Sequence, residues 1–125
     1  MPNGWPIMNA FRDTLLCVSN RHALPIYVLE NGFGGRDKPD QNGSVVNADR
    51  IDFLRAYIGA LNGAVSLGAD VRGYLVWSLL DNFEWDADYA VRFGLIYIDY
   101  PTQRRIPKVS FDWYRELIKA ARNKK

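Results

Sequence analysis

Hydrophobic residues recur at helical spacing in three stretches of the chain, and short apolar runs separate them. The spacing predicts one helix from about Pro6 to Arg21 and a second from Asn47 or Ala48 to Leu67. A third helix is predicted near the end of the chain, with Ser110 as its cap. The two runs between the helices are almost continuously apolar, which is typical of strands buried on both faces of a parallel sheet. They are Pro25–Leu29 and Val71–Trp77.

The order helix, strand, helix, strand, helix predicts an α/β fold with parallel βαβ units. The polar stretch Arg36–Asn47 is predicted to be a loop, and Leu95–Ile98 adds a short extended piece. In such folds binding and catalytic groups collect at the carboxyl ends of the strands. Two strands are few for a self-sufficient sheet, so the strand edges are expected to need a further partner.

Composition narrows the class of protein. The chain has 125 residues, the size of a single domain, and 48% of them are hydrophobic. The net charge of +2 argues against nucleic acid or a membrane as partner, and no apolar run is long enough to span a bilayer. The one cysteine, Cys17, rules out an internal disulfide and is predicted to be buried and inert within the first helix. With no leader visible, these features favour a cytoplasmic protein.

Two of the three glutamates, Glu30 and Glu84, follow the two predicted strands. Paired carboxylates at strand ends suit glycosidic chemistry, the binding of sugar hydroxyls, or metal ligation. Their position alone leaves open that both are ordinary loop residues. The third, Glu116, falls within the last predicted helix, where a solvated helix face is expected.

Aromatic residues accompany the second of these carboxylates and favour a sugar. Trp77, Phe83, Trp85 and Phe93 surround the end of the second predicted strand. Aromatic rings pack on the C–H faces of sugars while carboxylates and amides bind the hydroxyls. Some of these rings are expected to belong to the core, but Trp85 lies between two acidic residues and is a poor core candidate.

The sequence lacks the motifs of metal sites, phosphate-binding loops and serine nucleophiles. The chain has a single histidine, His22, and no HxxxH or CxxC pair, so neither a metal site nor a cofactor is expected. The glycines after Glu30 lack the Lys-Ser/Thr ending of a phosphate loop, and no GxSxG nucleophile elbow occurs.

Five segments, taken in order, resemble family 1 glycoside hydrolases, the β-glucosidase group. YVLENG at 27–32 resembles the motif around the family's nucleophile, and WSLLDNFEW at 77–85 resembles its sugar-binding segment. Three further segments resemble the family's closing region: residues 92–95, residues 97–99, and residues 107–110 with 113–114. ENG alone is a weak signal, whereas the nonapeptide followed by the others is specific. The resemblance covers nearly the whole chain.

The resemblance implies the last quarter of a (β/α)8 barrel hydrolase that acts with retention. Glu30 matches the nucleophile. Glu84 matches a residue that accepts hydrogen bonds from the glycone, which is the sugar ring that the nucleophile attacks. The other matches are Trp77 as stacking platform, Trp85 as hydroxyl-binding indole and Phe93 as pocket wall. The substrate implied is a small β-glucoside or oligosaccharide without phosphate, because a carboxylate at position 84 would repel a phosphorylated sugar.

This sequence also departs from the family pattern. A complete barrel needs about 250 residues, and the family's acid/base motif, of the Thr-x-Asn-Glu-Pro kind, is absent. Asp81, Asp86 and Glu84 are nearby candidates for the acid, as are a residue of another subunit, a missing N-terminal partner or solvent. The alternative to an enzyme is a non-catalytic sugar-binding or structural fragment. In either case the whole chain is expected to be one barrel segment that self-associates to cover its strand edges.

Overall fold

The computed structural model describes the backbone of residues 6–123 and contains three α-helices, four strands and one short 3-10 helix. The elements in chain order are α1 Pro6–His22, β1 Ile26–Asn31, α2 Ala48–Ser66, β2 Val71–Val76, the 3-10 helix Trp85–Ala87, β3 Ile96–Asp99, β4 Arg104–Pro107 and α3 Val109–Arg122. They divide between two compact units. Among the described residues, unit 1 comprises residues 6–31 together with Phe53–Val76, and unit 2 comprises Gly32–Asp52 and residues 77–123.

Unit 1 contains the predicted parallel strand pair. Ile26 lies opposite Val71 at one end of the β1–β2 pair, and Asn31 lies opposite Val76 at the other. Both strands therefore finish at the same edge, as the sequence order predicts. β1 continues beyond the predicted end at Leu29, so that Glu30 lies within the strand.

One face of this sheet packs against α1 and α2. Leu15, Ala64 and Ala69 are buried at its centre. Partly buried apolar side chains surround them: Phe11, Leu16, Ile26, Val28, Leu61 and Val71. The prediction that both faces are buried is wrong within the described residues. Tyr27, Leu29 and Leu75 are 56%, 70% and 51% exposed, because no described element covers the opposite face.

The end of α2 follows from the glycine just past it. Gly68 has φ +101°, a conformation that residues with a Cβ adopt only at a cost. Its N–H donates to the Val65 carbonyl at 3.0 Å, and the Ala69 N–H donates to the Ala64 carbonyl at 3.0 Å. This pair of bonds forms a Schellman motif, and the apolar contact that accompanies the motif is supplied by Ala64 and Ala69 in the core.

Cys17 is exposed, so the prediction that it is buried is wrong. The buried stripe of α1 runs through Phe11 and Leu15, and Cys17 lies two positions beyond Leu15, about 200° around the helix. The sequence neighbours Leu16 and Val18 suggested burial, but spacing along the helix decides which side faces the core.

Unit 2 contains a strand pair that was only half predicted. The apolar run at 95–98 forms β3, which pairs antiparallel with β4 through partners such as Tyr97 and Ile106. β4 was missed because Arg104 and Arg105 make it polar and exposed. No described helix is long and apolar enough to cross a membrane.

Ser110 does not cap α3, contrary to the prediction. The helix begins at Val109, with Lys108 at the N-cap position and Ser110 buried inside the first turn. The side chain of Asn47, the residue before α2, serves α3: its Oδ1 accepts the Ser110 N–H at 3.1 Å, and its Nδ2 donates to Ser110 Oγ at 2.8 Å. A side chain distant in sequence thus satisfies a free N–H at this helix end.

Candidate functional site

Glu30 is an exposed residue of β1, next to the last residue of the strand. Its neighbour Asn31 is held from the partner strand, where the Tyr74 hydroxyl donates to Asn31 Oδ1 at 2.7 Å. Asn31 pairs with Val76, but the register between Val28 and Asn31 is interrupted, so Glu30 lies in an irregular stretch of the strand. The carboxylate is exposed to solvent near the sheet edge where parallel folds carry their chemistry.

Trp77, the first residue after β2, belongs to unit 2 together with Gly32. A Cβ on Gly32 would overlap the carbonyl oxygen of Trp77, so only glycine permits this approach of the two backbones. The peptide between Trp77 and Ser78 is cis. The Trp77 side chain is 37% exposed, which leaves part of the indole available for contact.

The segment after Trp77 is anchored to the residues that precede β3. The Ser78 N–H donates to the Phe93 carbonyl at 3.1 Å, and the Leu95 N–H donates to the Ser78 carbonyl at 2.9 Å. Asn82 Nδ2 donates to the buried Ser78 hydroxyl at 3.2 Å. These bonds hold the segment that carries Trp77 beside the segment that carries Phe93.

Glu84 and Trp85 lie on a tight turn rather than directly after a strand as predicted. Glu84 is half-buried and precedes the 3-10 helix; its N–H donates to the Asp88 carbonyl at 2.8 Å and its carbonyl accepts the Ala87 N–H at 2.8 Å. Trp85 has φ +41°, which is rare for a bulky residue and typical of strained functional turns. Its indole is 82% exposed and free to contact a ligand.

Phe93 is half-buried and its ring closes over Gly34. A Cβ on Gly34 would lie 2.8 Å from the edge of the Phe93 ring and 2.6 Å from a methyl group of Val91. Gly34 therefore sets how deeply the ring sits. Phe83, the other predicted aromatic residue, is exposed and meets Tyr89 edge to face at 5.6 Å between ring centroids.

Asp81 is excluded as the acid, because its side chain is fully buried in ion pairs. The ammonium of Lys108, itself fully buried, lies 2.8 Å from Oδ1, and the Arg92 guanidinium lies 2.8 Å from Oδ2. Oδ1 also accepts the Gly94 N–H at 2.9 Å. A carboxylate so engaged cannot reach a substrate, and it stabilises the loop instead.

The ion cluster of unit 2 continues through Asp37 and Arg50. Asp37 pairs with both Lys108 and Arg50, and the buried Arg50 guanidinium donates to the carbonyls of Phe33, Phe93 and Arg92. Burial lowers the pKa of Lys108, although its hydrogen bonds to Asp37 and Asp81 oppose the shift.

Sequence reasoning missed this cluster. The available signal was a set of cations between apolar neighbours, such as Arg92 between Val91 and Phe93, and Lys108 between Pro107 and Val109. Such residues are rarely buried unless they are paired, so their context points to an internal ion pair.

The sequence-predicted site residues are thus divided between the units. Glu30 belongs to unit 1, and the other four belong to unit 2, where backbone bonds tie the segments of Trp77 and Phe93 together. Across residues 6–123 no group of three or more His, Cys, Asp or Glu side chains is placed to hold a metal ion.

Comparison with known proteins identifies the family. The model of glycosyl hydrolase family 1 matches residues 1–123. A bifunctional β-D-glucosidase/β-D-fucosidase of Bifidobacterium breve is 46% identical over 92% of this chain and 26% of its own length. A 6-phospho-β-galactosidase of Staphylococcus haemolyticus is 43% identical over 76% of this chain and 20% of its own length.

The structural likeness agrees. The family 1 β-glucosidase of Thermotoga maritima superimposes with a TM-score of 0.86 and 41% identity, over 89% of this chain and 25% of that one. Such neighbours are (β/α)8 barrels, in agreement with the fold that the resemblance implied. The chain spans about a quarter of the length of these relatives. The match over residues 1–123 shows that the chain belongs to glycosyl hydrolase family 1.

Proposed function

We propose that this chain carries the nucleophile of a retaining β-glycosidase. In that reaction one carboxylate attacks the anomeric carbon and forms a glycosyl-enzyme, which water then hydrolyses. Glu30 is the residue assigned to the attack. The observation that carries this proposal is the exposed position of Glu30 near the carboxyl end of β1 in a family 1 chain.

Four residues of unit 2 are assigned to binding the glycone. Trp77 serves as the stacking platform and Phe93 as a pocket wall, and both retain exposed surface. Glu84 accepts hydrogen bonds from sugar hydroxyls, and the exposed Trp85 indole donates one. Hydrogen bonds to charged groups contribute about 1.5–3 kcal/mol each, so Glu84 is expected to dominate the polar part of sugar binding.

The proposed substrate is a terminal, unphosphorylated β-glucoside or a small oligosaccharide. Relatives at similar identity include both a β-glucosidase/β-fucosidase and a 6-phospho-β-galactosidase, so family membership leaves the sugar open. Glu84 supports the unphosphorylated choice, because a half-buried carboxylate repels a phosphate group placed beside it.

The acid that protonates the leaving group comes from elsewhere than Asp81. Asp86 and Glu84 remain candidates within the chain, together with solvent, another subunit or an N-terminal partner. General acid catalysis typically contributes about 10²–10⁴-fold. If the chain lacks a proper acid, aryl glucosides with good leaving groups are still hydrolysed, and the rate of cellobiose hydrolysis falls most.

The decisive experiment is covalent trapping. A 2-fluoro glucoside with a good leaving group is expected to add one glycosyl unit to Glu30, as read by intact-mass and peptide mass spectrometry. Glu30→Gln abolishes the adduct and aryl-glucosidase activity, whereas Glu116→Gln, a change on the exposed face of α3, leaves both unchanged. Turnover that survives Glu30→Gln would exclude Glu30 as nucleophile.

A second candidate function is carbohydrate binding without catalysis. The burial of Asp81 in ion pairs favours it, because it removes one of the acids that the sequence offers. This function predicts no covalent adduct but quenching of tryptophan fluorescence by glucose, lost in Trp85→Ala. The trapping experiment separates it from the enzyme.

We also propose that the chain forms one barrel segment that self-associates, in the cytoplasm. The exposed Tyr27, Leu29 and Leu75 supply an apolar sheet face, and β1 and β2 each have one strand neighbour among the described residues. Exposed apolar faces and strand edges drive association.

A second copy is the proposed occupant of this face. Sedimentation at micromolar concentration tests it: Leu75→Glu shifts the chain toward monomer, and Leu67→Glu, at an exposed position just past α2, does not. A compact, cooperatively folding wild-type monomer would refute self-association.

A further inference from the structure

We propose that a basic cleft of unit 2, separate from the sugar site, binds a small organic phosphate monoester. The cleft has a volume of about 580 Å³, which lies in the range of small-molecule sites. The charged and aromatic residues that line it are Arg36, Asp37, Lys38, Tyr89, Arg92 and Tyr97. None of them belongs to the residues assigned to the sugar, so the cleft goes beyond the proposed function.

The rim of the cleft carries two uncommitted cations. Arg36 and Lys38 are exposed, and neither has an ion-pair partner among residues 8–123. They flank Asp37 in sequence, so both project from one short segment. An arginine fork binds two oxygens of a phosphate, and a lysine adds a second charge.

The wall of the cleft does not cancel this charge. Of the described residues that line it, Asp37 alone carries a carboxylate, and that carboxylate is engaged by Arg50 and Lys108. The buried cluster behind the wall combines three cations, Arg50, Arg92 and Lys108, with two carboxylates. The field in the cleft is therefore positive, and it favours an anion.

Aromatic rings supply a surface for the organic part of the ligand. Tyr89 is half exposed and meets Tyr100 at 4.7 Å between ring centroids, which fixes its orientation. The Arg92 guanidinium lies 4.0 Å from the centroid of the Tyr97 ring, so a cation and a ring form one continuous wall. A phosphate monoester with an aromatic or sugar body matches cations at the rim and rings in the wall.

Phenyl phosphate is the probe, titrated calorimetrically into the whole chain at low salt. Saturable binding is expected, at least about tenfold tighter than that of neutral phenol, and weaker when salt shortens the Debye length from about 10 Å to about 3 Å. The double change Arg36→Ala and Lys38→Ala is expected to weaken it at least tenfold. Lys119→Ala with Arg122→Ala, which removes equal charge from exposed α3 positions, should not.

Tyr89→Ala tests the aromatic wall. It is expected to weaken the binding of phenyl phosphate severalfold and to leave the binding of inorganic phosphate unchanged. The proposal is overturned by absence of saturable binding, by phenol binding as tightly as phenyl phosphate, or by equal loss in the two double variants. Binding of phenyl phosphate no tighter than inorganic phosphate overturns it as well. These readouts do not involve glycosidase activity, so their failure is distinct from failure of the Glu30 assignment.

Discussion

The interiors of the two units are stabilised by different kinds of interaction. The centre of unit 1 is apolar, with Leu15, Ala64 and Ala69 buried between two helices and one face of a parallel sheet. The largest fully buried side chains of unit 2 include Arg50 and Lys108, which pair with carboxylates. An apolar core tolerates the exchange of one apolar side chain for another of similar volume. The stability of a buried ion cluster depends on every charged partner being present.

The largest expected effect is on the ion cluster. Asp81→Ala leaves the three cations Arg50, Arg92 and Lys108 with Asp37 as the one remaining carboxylate of the cluster, and it is expected to lower the free energy of unfolding by about 3–5 kcal/mol. Urea denaturation followed by circular dichroism measures the loss. The exposed pair in unit 1 provides the control, since Asp70→Ala removes the partner of Arg72 in full solvent and should leave stability unchanged. Equal effects of the two changes would contradict the contrast between buried and exposed pairs.

The next effect probes the apolar core of unit 1. Leu15→Ala removes buried methyl groups and leaves a cavity, which is expected to cost about 2–4 kcal/mol by chemical denaturation. Leu67→Ala, at an exposed position, should change stability by less than about 0.5 kcal/mol. If Leu15→Ala proved as mild as Leu67→Ala, the cluster around Leu15 would not be the core.

A smaller effect separates backbone conformation from packing in α2. Gly68→Ala places a Cβ at φ +101° and is expected to destabilise the chain by about 1–2 kcal/mol. Gly59→Ala, inside the same helix with open space around it, is expected to stabilise by about 0.5–1 kcal/mol. Thermal unfolding of both variants tests the opposite signs, and two changes of the same sign would contradict the assigned helix end.

The smallest effect is a pH dependence in unit 2. Burial raises the pKa of Tyr114 above 10.0, so in the folded chain this phenol keeps its proton after the unfolded chain has lost it. Its contribution to stability is present below pH 10.0 and is lost as the pH rises through the raised pKa. Tyr114→Phe should therefore reduce the alkaline loss of stability, as measured by denaturation at several pH values. Absorbance at 295 nm gives the tyrosinate titration directly.

The same contrast explains what the sequence could predict. Periodicity and short apolar runs predict helices α1 and α2 and strands β1 and β2. They do so because buried apolar residues recur at a regular spacing along the sequence. β4 and the cap of α3 escaped prediction, because β4 is polar and the cap is supplied by Asn47 from far along the chain.

The candidate site divides in the same way. Glu30 was proposed as a site residue from its place near the end of an apolar strand, and the structure puts it within β1 rather than after it. Asp81 was misassigned as a possible acid, since a sequence does not show that Lys108 and Arg92 come to meet it. Ion pairs between distant residues have no period, and so pattern analysis does not find them.

The Arg50 guanidinium also bears on how the chain is made. Besides the Asp37 carboxylate, it donates to three backbone carbonyls that stand 17, 42 and 43 residues away in sequence, at Phe33, Arg92 and Phe93. During ribosomal synthesis Arg50 emerges before the last two of these residues have been added to the chain. The growing polypeptide can therefore supply Asp37 and the Phe33 carbonyl early, but truncation before residue 92 would remove two of the three carbonyl acceptors of this arginine.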